Sequence, residues 1–227
     1  MYWSNRVGSM FILLSHKLST TTPAYAGGPG LTLKPLKQIA KGDSSNSYLI
    51  EMPNHLGTHI DAPRHFDPSG RSIAEYGIED LTFRRPLLLN IPKQDSELIT
   101  AEDLAAYKEK IAESDILLIK TGFQRFRESD PERYSTHNPG FSSDAASYIV
   151  KNFPKLRALG LDTISLSSVD HREDGRLSHK ILLSGRDFFI IEDMDLSKLV
   201  ESPKTVIVLP LFIEGIDSAP CVVLAEV

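Results

Sequence analysis

Three histidines and an aspartate fall within eleven residues, in the segment His55-Leu-Gly-Thr-His59-Ile-Asp61-Ala-Pro-Arg-His65, although the whole chain of 227 residues has only seven histidines. Imidazole and carboxylate at this density suggest a metal centre. The single cysteine, Cys221, leaves nitrogen and oxygen as the donors and excludes both a disulfide framework and a Cys-based zinc finger. On a helix His55 and His59 would share a face, but Asp61 would point about 200° away from His59. Pro63 also opposes a helix. On a strand, His59 and Asp61 project to the same side because the side-chain period is two. Gly57 supplies a bend that brings His55 round to join them. A turn into a short strand thus presents two imidazoles and one carboxylate to a common point, a set suited to zinc, manganese or iron(II) with open positions for water. The flanking residues Tyr48–Met52 and Ile60 read as buried sheet, where unliganded histidines are costly.

The elements around this cluster read as a single α/β domain dominated by strands. Expected strands are Ser47–Glu51, Pro86–Ile91, Ile116–Lys120, Thr163–Leu166, Phe188–Glu192, Thr205–Leu209 and Cys221–Ala225. Thr100-Ala-Glu-Asp103 resembles a capping box that opens a helix to Ala112. Ser142 or Ser143 caps a second helix through Phe153, and Ser178 caps a short one from His179 to Ser184. The segment Thr20–Gly30 is too rich in turn formers for regular structure. Residues 1–9 are polar and carry the only tryptophan, and they precede a second methionine, Met10. They are read as an expression-derived or mobile extension, with the domain spanning residues 10–227.

Twenty-five basic against thirty acidic residues leave a net charge of −5, which argues against nucleic-acid binding. No apolar run is long enough for a membrane span or a signal-peptide core, so a cytoplasmic protein is expected. There is no Gly-x-Ser-x-Gly elbow, no Walker A loop and no Gly-x-Gly-x-x-Gly fingerprint, which disfavours serine-hydrolase, nucleotide-driven and dehydrogenase chemistry.

The pattern His55-x-Gly-Thr-His59-x-Asp61-x-Pro-x-His65 resembles the signature of the cyclase-like metal hydrolases, a family that includes bacterial kynurenine formamidase and isatin hydrolase. Four further segments are similar in the family's order. They are Leu14-Ser-His-Lys-Leu-Ser-Thr-Thr-Thr-Pro-Ala-Tyr25, Gly160-Leu-Asp-Thr-Ile-Ser-Leu166, the pair Ser178-His179 with Phe189-Ile-Ile-Glu192, and the closing stretch Leu209–Pro220. The resemblance implies a β-rich α/β domain around a twisted, barrel-like mixed sheet flanked by helices. It further implies a homodimer or homotetramer and a divalent metal site, with one or two Zn²⁺ or Mn²⁺ ions.

Carried over by residue, His55, His59 and Asp61 hold the first metal. His179 and Glu192 complete a second, Asp61 and Glu192 bridge, and His65 is the acid/base. Tyr25 stands near a position that is often tryptophan in the kynurenine formamidases and is expected to contact an aromatic small-molecule substrate. Around it Ala26-Gly27-Gly28 replaces the family's Pro-Gly-Asp, and Val222 stands where the family's closing arginine is. The expected activity is hydrolysis of an amide or a lactam/lactone bond, in an arylformamide or an isatin-like cyclic amide. A metal-containing binding protein without catalysis is the competing expectation. His16 is expected to be a core or supporting histidine, His137 and His171 loop residues, and Cys221 an inert core thiol.

Overall fold

The computed structural model describes residues 10–227; the proposed extension at residues 1–9 lies outside the described residues. In chain order the strands are β1 (Phe11–Leu13), β2 (Thr32–Lys37), β3 (Ser47–Glu51), β4 (His59–Asp61), β5 (Thr82–Phe83), β6 (Pro86–Asn90), β7 (Leu98–Ile99), β8 (Ile116–Lys120), β9 (Gly140–Phe141), β10 (Ala158–Leu161), β11 (Phe189–Glu192), β12 (Thr205–Pro210) and β13 (Ser218–Glu226). The helices are α1 (Ala101–Ala105), α2 (Lys108–Ala112), α3 (Phe126–Ser129), α4 (Pro131–Thr136), α5 (Ser143–Asn152) and α6 (Arg172–Leu183).

One nine-stranded mixed sheet forms the body, in the order β5-β12-β13-β4-β11-β10-β8-β6, with β1 added along β13. Strands β6, β8, β10 and β11 run parallel, and the β11–β4, β4–β13, β13–β12 and β12–β5 pairs are antiparallel. The sheet is nearly closed and barrel-like, as expected. Its parallel strands are apolar runs because both faces are covered. On β8, Ile116 and Leu118 enter the core on one face; Leu117 and Ile119 enter the other, where they pack with Ala145, Ala146 and Ile149 of α5 and Leu182 and Leu183 of α6.

The same alternation sets the orientation of the histidine cluster. Ile60 of β4 and Ile191 of β11 are paired and lie in the first core. Their neighbours His59, Asp61 and Glu192 therefore face the opposite side, the side covered by α6. Register places Glu192 directly across from His59.

Four sequence expectations need correction. The strand expected at Thr163–Leu166 ends earlier, at Leu161. The residues after it form a buried loop whose backbone is used locally, Leu166 N–H donating to Glu192 Oε1 at 2.6 Å. Helix α6 starts at Arg172, not after Ser178; Ser178 is interior and its hydroxyl donates to Phe141 O (2.7 Å) and Asp174 O (2.9 Å). Gly175, a poor helix former, obscured this helix in the sequence. A Cβ there would lie 2.2 Å from Ser167 Oγ, so the close approach of α6 to the 162–168 loop requires glycine. Tyr48–Ile50 are exposed, because β2 and β3 form a separate hairpin outside the main sheet. The helix expected from Thr100 keeps its capping box but breaks into α1 and α2.

The residue after Glu192 adopts a left-handed conformation without being glycine: Asp193 has φ 51°. Such strain costs about 1–3 kcal/mol. It persists because Arg127 donates twice to the Asp193 carboxylate, at 2.8 Å each, and Tyr134 Oη donates at 2.7 Å, all within the interior. Removing one partner of a buried ion pair leaves the other charge stranded, at a cost of about 3–5 kcal/mol. Arg127→Ala should therefore lower the unfolding free energy by about that amount, read from the urea midpoint. A loss under about 1 kcal/mol would show that the pair is not the brace assigned here.

Candidate metal centre

The site is built from the ends of β4 and β11, one face of α6 and two loops. Asp61 lies at its centre. It is fully buried, and neither carboxylate oxygen has a hydrogen-bond partner. His55 Nδ1 lies 3.1 Å from Asp61 Oδ1, and His59 Nε2 lies 3.7 Å from the same oxygen. His65 Nε2 and His179 Nε2 each lie 4.0 Å from Oδ2. Glu192 adds its two oxygens, 3.2 Å from His59 Nε2 and 3.3 Å from His179 Nε2. The structure thus brings together all six residues that the sequence singled out as ligands or acid/base.

The ring orientations are set by backbone carbonyls. His59 Nδ1–H donates to Gly57 O and His179 Nδ1–H donates to Gly175 O, both at 2.8 Å. Each bond directs Nε2 toward the carboxylates. Metal-binding histidines are held in this way. Phe66 stacks on His179 with centroids 4.9 Å apart and meets His65 edge-on.

Asp217 falls within the closing Leu209–Pro220 stretch, where the sequence singles out no site residue, and the fold makes it a principal member of the cluster. Its Oδ2 accepts from His55 Nε2 at 2.9 Å and from His65 Nδ1 at 2.7 Å, while its Oδ1 accepts from Asn54 Nδ2 at 2.8 Å. Only the turn before β13 places Asp217 beside a segment more than 150 residues earlier in the chain. Its one sequence signal is an acidic residue just before the last strand.

Electrostatics follow from this geometry. Burial works against the charge of His55, but Asp217 and Asp61 outweigh it and raise its pKa to about 10. His59 and His179 are likewise disfavoured by burial, yet Glu192 and Asp61 move both upward. Desolvation pushes Asp61 and Glu192 up, and the surrounding imidazoles overcome it and hold both carboxylates ionised.

These residues fit a divalent cation. Bonds of about 2.0–2.1 Å at tetrahedral angles place ligand atoms about 3.3 Å apart, close to the His–carboxylate separations seen here. Those contacts lack hydrogen-bond geometry for His59 Nε2 and for both oxygens of Asp61. A carboxylate buried without a donor costs several kcal/mol unless a cation neutralises it. His55, His59 and Asp61 form one compact ligand group, and Asp61, His65 and His179 form another that shares the aspartate.

A cleft of about 290 Å³ opens over the cluster. Tyr25, Phe66 and Ile164 provide its apolar walls, Ser165 and Ser167 line it beside Glu192, and Arg172 and Arg176 stand at α6. Tyr25 packs on the Phe123–Tyr134–Ile164 cluster, and burial raises the pKa of its phenol. The Phe123–Phe126 stretch stays in that cluster and does not line the cleft. The remaining histidines lie outside it: His137 and His171 are exposed, and His16 is partly buried beyond β1. Cys221 is buried in β13 with its thiol pushed upward by desolvation, as expected of an inert core cysteine.

The family model described as "Putative cyclase" matches residues 12–168. The chain belongs to this cyclase family. Cyclase-like protein 3 of Oryza sativa is 28% identical over 94% of this chain and 78% of its own. The kynurenine formamidase of Bacillus cereus is 26% identical over 93% and 95%. Among solved structures, isatin hydrolase A from Labrenzia aggregata superposes with a TM-score of 0.81 at 20% identity, over 96% of this chain and 94% of that one, a likeness of fold.

Because three site histidines are shifted upward in the ion-free protein, a cation must displace protons from them to bind. For this member of the cyclase family, apparent affinity for Zn²⁺ should fall as pH drops from about 8 to about 6. Titration calorimetry in buffers of different ionisation enthalpy should show net proton release. An affinity independent of pH over that interval would contradict the assigned charge state.

Proposed function

We propose that this cyclase-family protein is a metal-dependent hydrolase of an amide or a lactam/lactone bond, in an arylformamide or an isatin-like cyclic amide. The observation that carries this reading is the buried Asp61 carboxylate, unpartnered and ringed by imidazoles at the floor of an aromatic-walled cleft. His55, His59, Asp61, His179 and Glu192 are its ligands for one or two ions, Zn²⁺ or Mn²⁺. When bound, the cation supplies Lewis-acid polarisation of a carbonyl and makes water acidic enough to attack near neutral pH.

The protein's own groups do the rest. Tyr25 and Phe66 flank an aryl group on the apolar walls and exclude water from the reacting end. His65 is the acid/base. Its Nδ1–H is committed to Asp217, so Nε2 faces the cluster and is the atom that takes a proton and returns it to the leaving nitrogen. Asp217 holds that tautomer and offsets the positive charge His65 acquires. Ser165 Oγ and Leu166 N–H hold Glu192 from behind, fixing the floor of the cleft.

Chelation should abolish turnover of an aryl formamide, and added Zn²⁺ or Mn²⁺ should restore it. His65→Ala should lower turnover by about 100- to 10,000-fold while the metal content stays near that of the wild type. A chelator-insensitive enzyme would sink the metal assignment. Unchanged turnover in His65→Ala with metal retained would favour a binding protein.

The β2–β3 hairpin supports self-association into a dimer or tetramer. Two-stranded hairpins are marginal in water by themselves. On one face this one exposes Leu33, Tyr48 and Ile50, an apolar group in cross-strand register. A second copy of the chain is its proposed cover. Leu33→Lys with Ile50→Lys, a cross-strand pair, should reduce the particle mass measured by light scattering. An unchanged mass would remove the hairpin from the interface.

A further inference from the structure

Two cations at the mouth of the cleft are left over by the catalytic assignment. Arg172 and Arg176 both line it, and both belong to α6, the helix that carries His179. At 100° per residue, positions 172, 176 and 179 fall within about 60° of one another, so the guanidinium stems and the imidazole share one stripe of the helix. Among the described residues neither arginine forms an ion pair, and neither stacks on an aromatic ring. Among the described residues the only side-chain hydrogen bond either makes is from Arg172 Nε to Val169 O at 3.2 Å.

Glu173, next to Arg172 and three residues before Arg176, pairs with neither among the described residues, and the two other nearby acids are engaged elsewhere. Asp174 accepts from Ser143 N–H and Oγ on another side of α6, and Asp170 accepts from Ser96 Oγ. The chain carries a net charge of −5, so two uncommitted guanidinium groups beside one cleft are not a general surface trend. Guanidinium forks match carboxylates in shape and charge.

The geometry points to an anion-recognition site formed by Arg172 and Arg176, so that the substrate carries a carboxylate remote from its scissile bond. This inference rests on the hydrolase reading for what is cleaved, and adds what is recognised. The rise of 1.5 Å per residue puts the two arginines about 4.5 and 10.5 Å along the helix axis from His179. That separation corresponds to a carboxylate across an aromatic ring from the amide, with the ring between Tyr25 and Phe66.

Titration calorimetry on metal-loaded His65→Ala protein, in which turnover should be slowed by about 100-fold or more, tests this directly. 4-Formamidobenzoate should bind about tenfold or more tightly than its neutral parent formanilide, the increment of one charge-assisted contact. Arg172→Gln with Arg176→Gln should bring the two affinities together, with metal content and unfolding midpoint unchanged. The ortho isomer, 2-formamidobenzoate, should gain less, since its carboxylate cannot reach the helix while the amide faces the metal ligands. The inference is overturned if 4-formamidobenzoate shows no preference or no binding. It is also overturned if the preference survives loss of both arginines, which would place the carboxylate on the cation. Wild-type turnover of the same compounds separates the two readings: a preference for the anion without hydrolysis of any of them would retain the arginine site and reject the hydrolase.

Discussion

The constraint that organises this protein is the burial of Asp61 with no hydrogen-bond donor of its own. A carboxylate removed from water must be neutralised, protonated or given donors, and here its neighbours are imidazole nitrogens and a second buried carboxylate. Protonation is opposed by those imidazoles, which hold Asp61 below the usual carboxylate range despite burial. Protonated imidazoles, His55 foremost, can offset the charge, and a divalent cation held by the same nitrogens and oxygens would replace those protons. The surrounding residues keep that arrangement open, because His59 and His179 give their other ring nitrogens to backbone carbonyls. Asp217 takes the outer nitrogens of His55 and His65.

The sheet is shaped to hold this cluster. β4 is only three residues long and lies between β11 and β13, so its inward residues have no solvent route through the sheet. Pairing with β11 puts Glu192 across from His59, and pairing with β13 brings Ser218 beside Asp61 with Asp217 next to it. α6 then closes over the floor. Gly175 allows that approach, and its carbonyl orients His179. Behind Glu192, the left-handed turn at Asp193 ends the strand, and Arg127 and Tyr134 hold it from the interior. Strain beside the ligand set is thus offset by a buried polar network remote from any substrate.

Chemistry and recognition occupy different parts of the cleft. The floor is made of strand ends whose positions are dictated by backbone pairing, so its ligands vary little without loss of the sheet. The mouth is made of side chains from a turn-rich loop and from one helix stripe: Tyr25, Arg172 and Arg176. Loops and helix surfaces tolerate exchange, and one departure from the family's pattern, Ala26-Gly27-Gly28, falls beside Tyr25, while the other, Val222, lies in β13 away from the cleft.

The period-two spacing of His59 and Asp61, the turn residue Gly57 and the apolar run ending in Glu192 were legible in the chain because they are local properties of a strand. The strands at Ile116–Lys120 and Phe189–Glu192 were readable for the same reason. Motif order extended the reading to His179, whose local context alone is an ordinary helix. Other features could not be read. The 163–166 segment looks like a strand, yet its amides serve Glu192. The β2–β3 hairpin has the pattern of buried sheet, yet lies outside the main sheet. Asp217 and the two arginines belong to the site only because distant segments meet. Residue types and spacing by themselves pointed to a nitrogen–oxygen cluster that could hold a metal. Which face it occupies, which carboxylate orients its histidines and which cations stand over it were decided by strand register and helix docking, which bring together groups more than 150 residues apart.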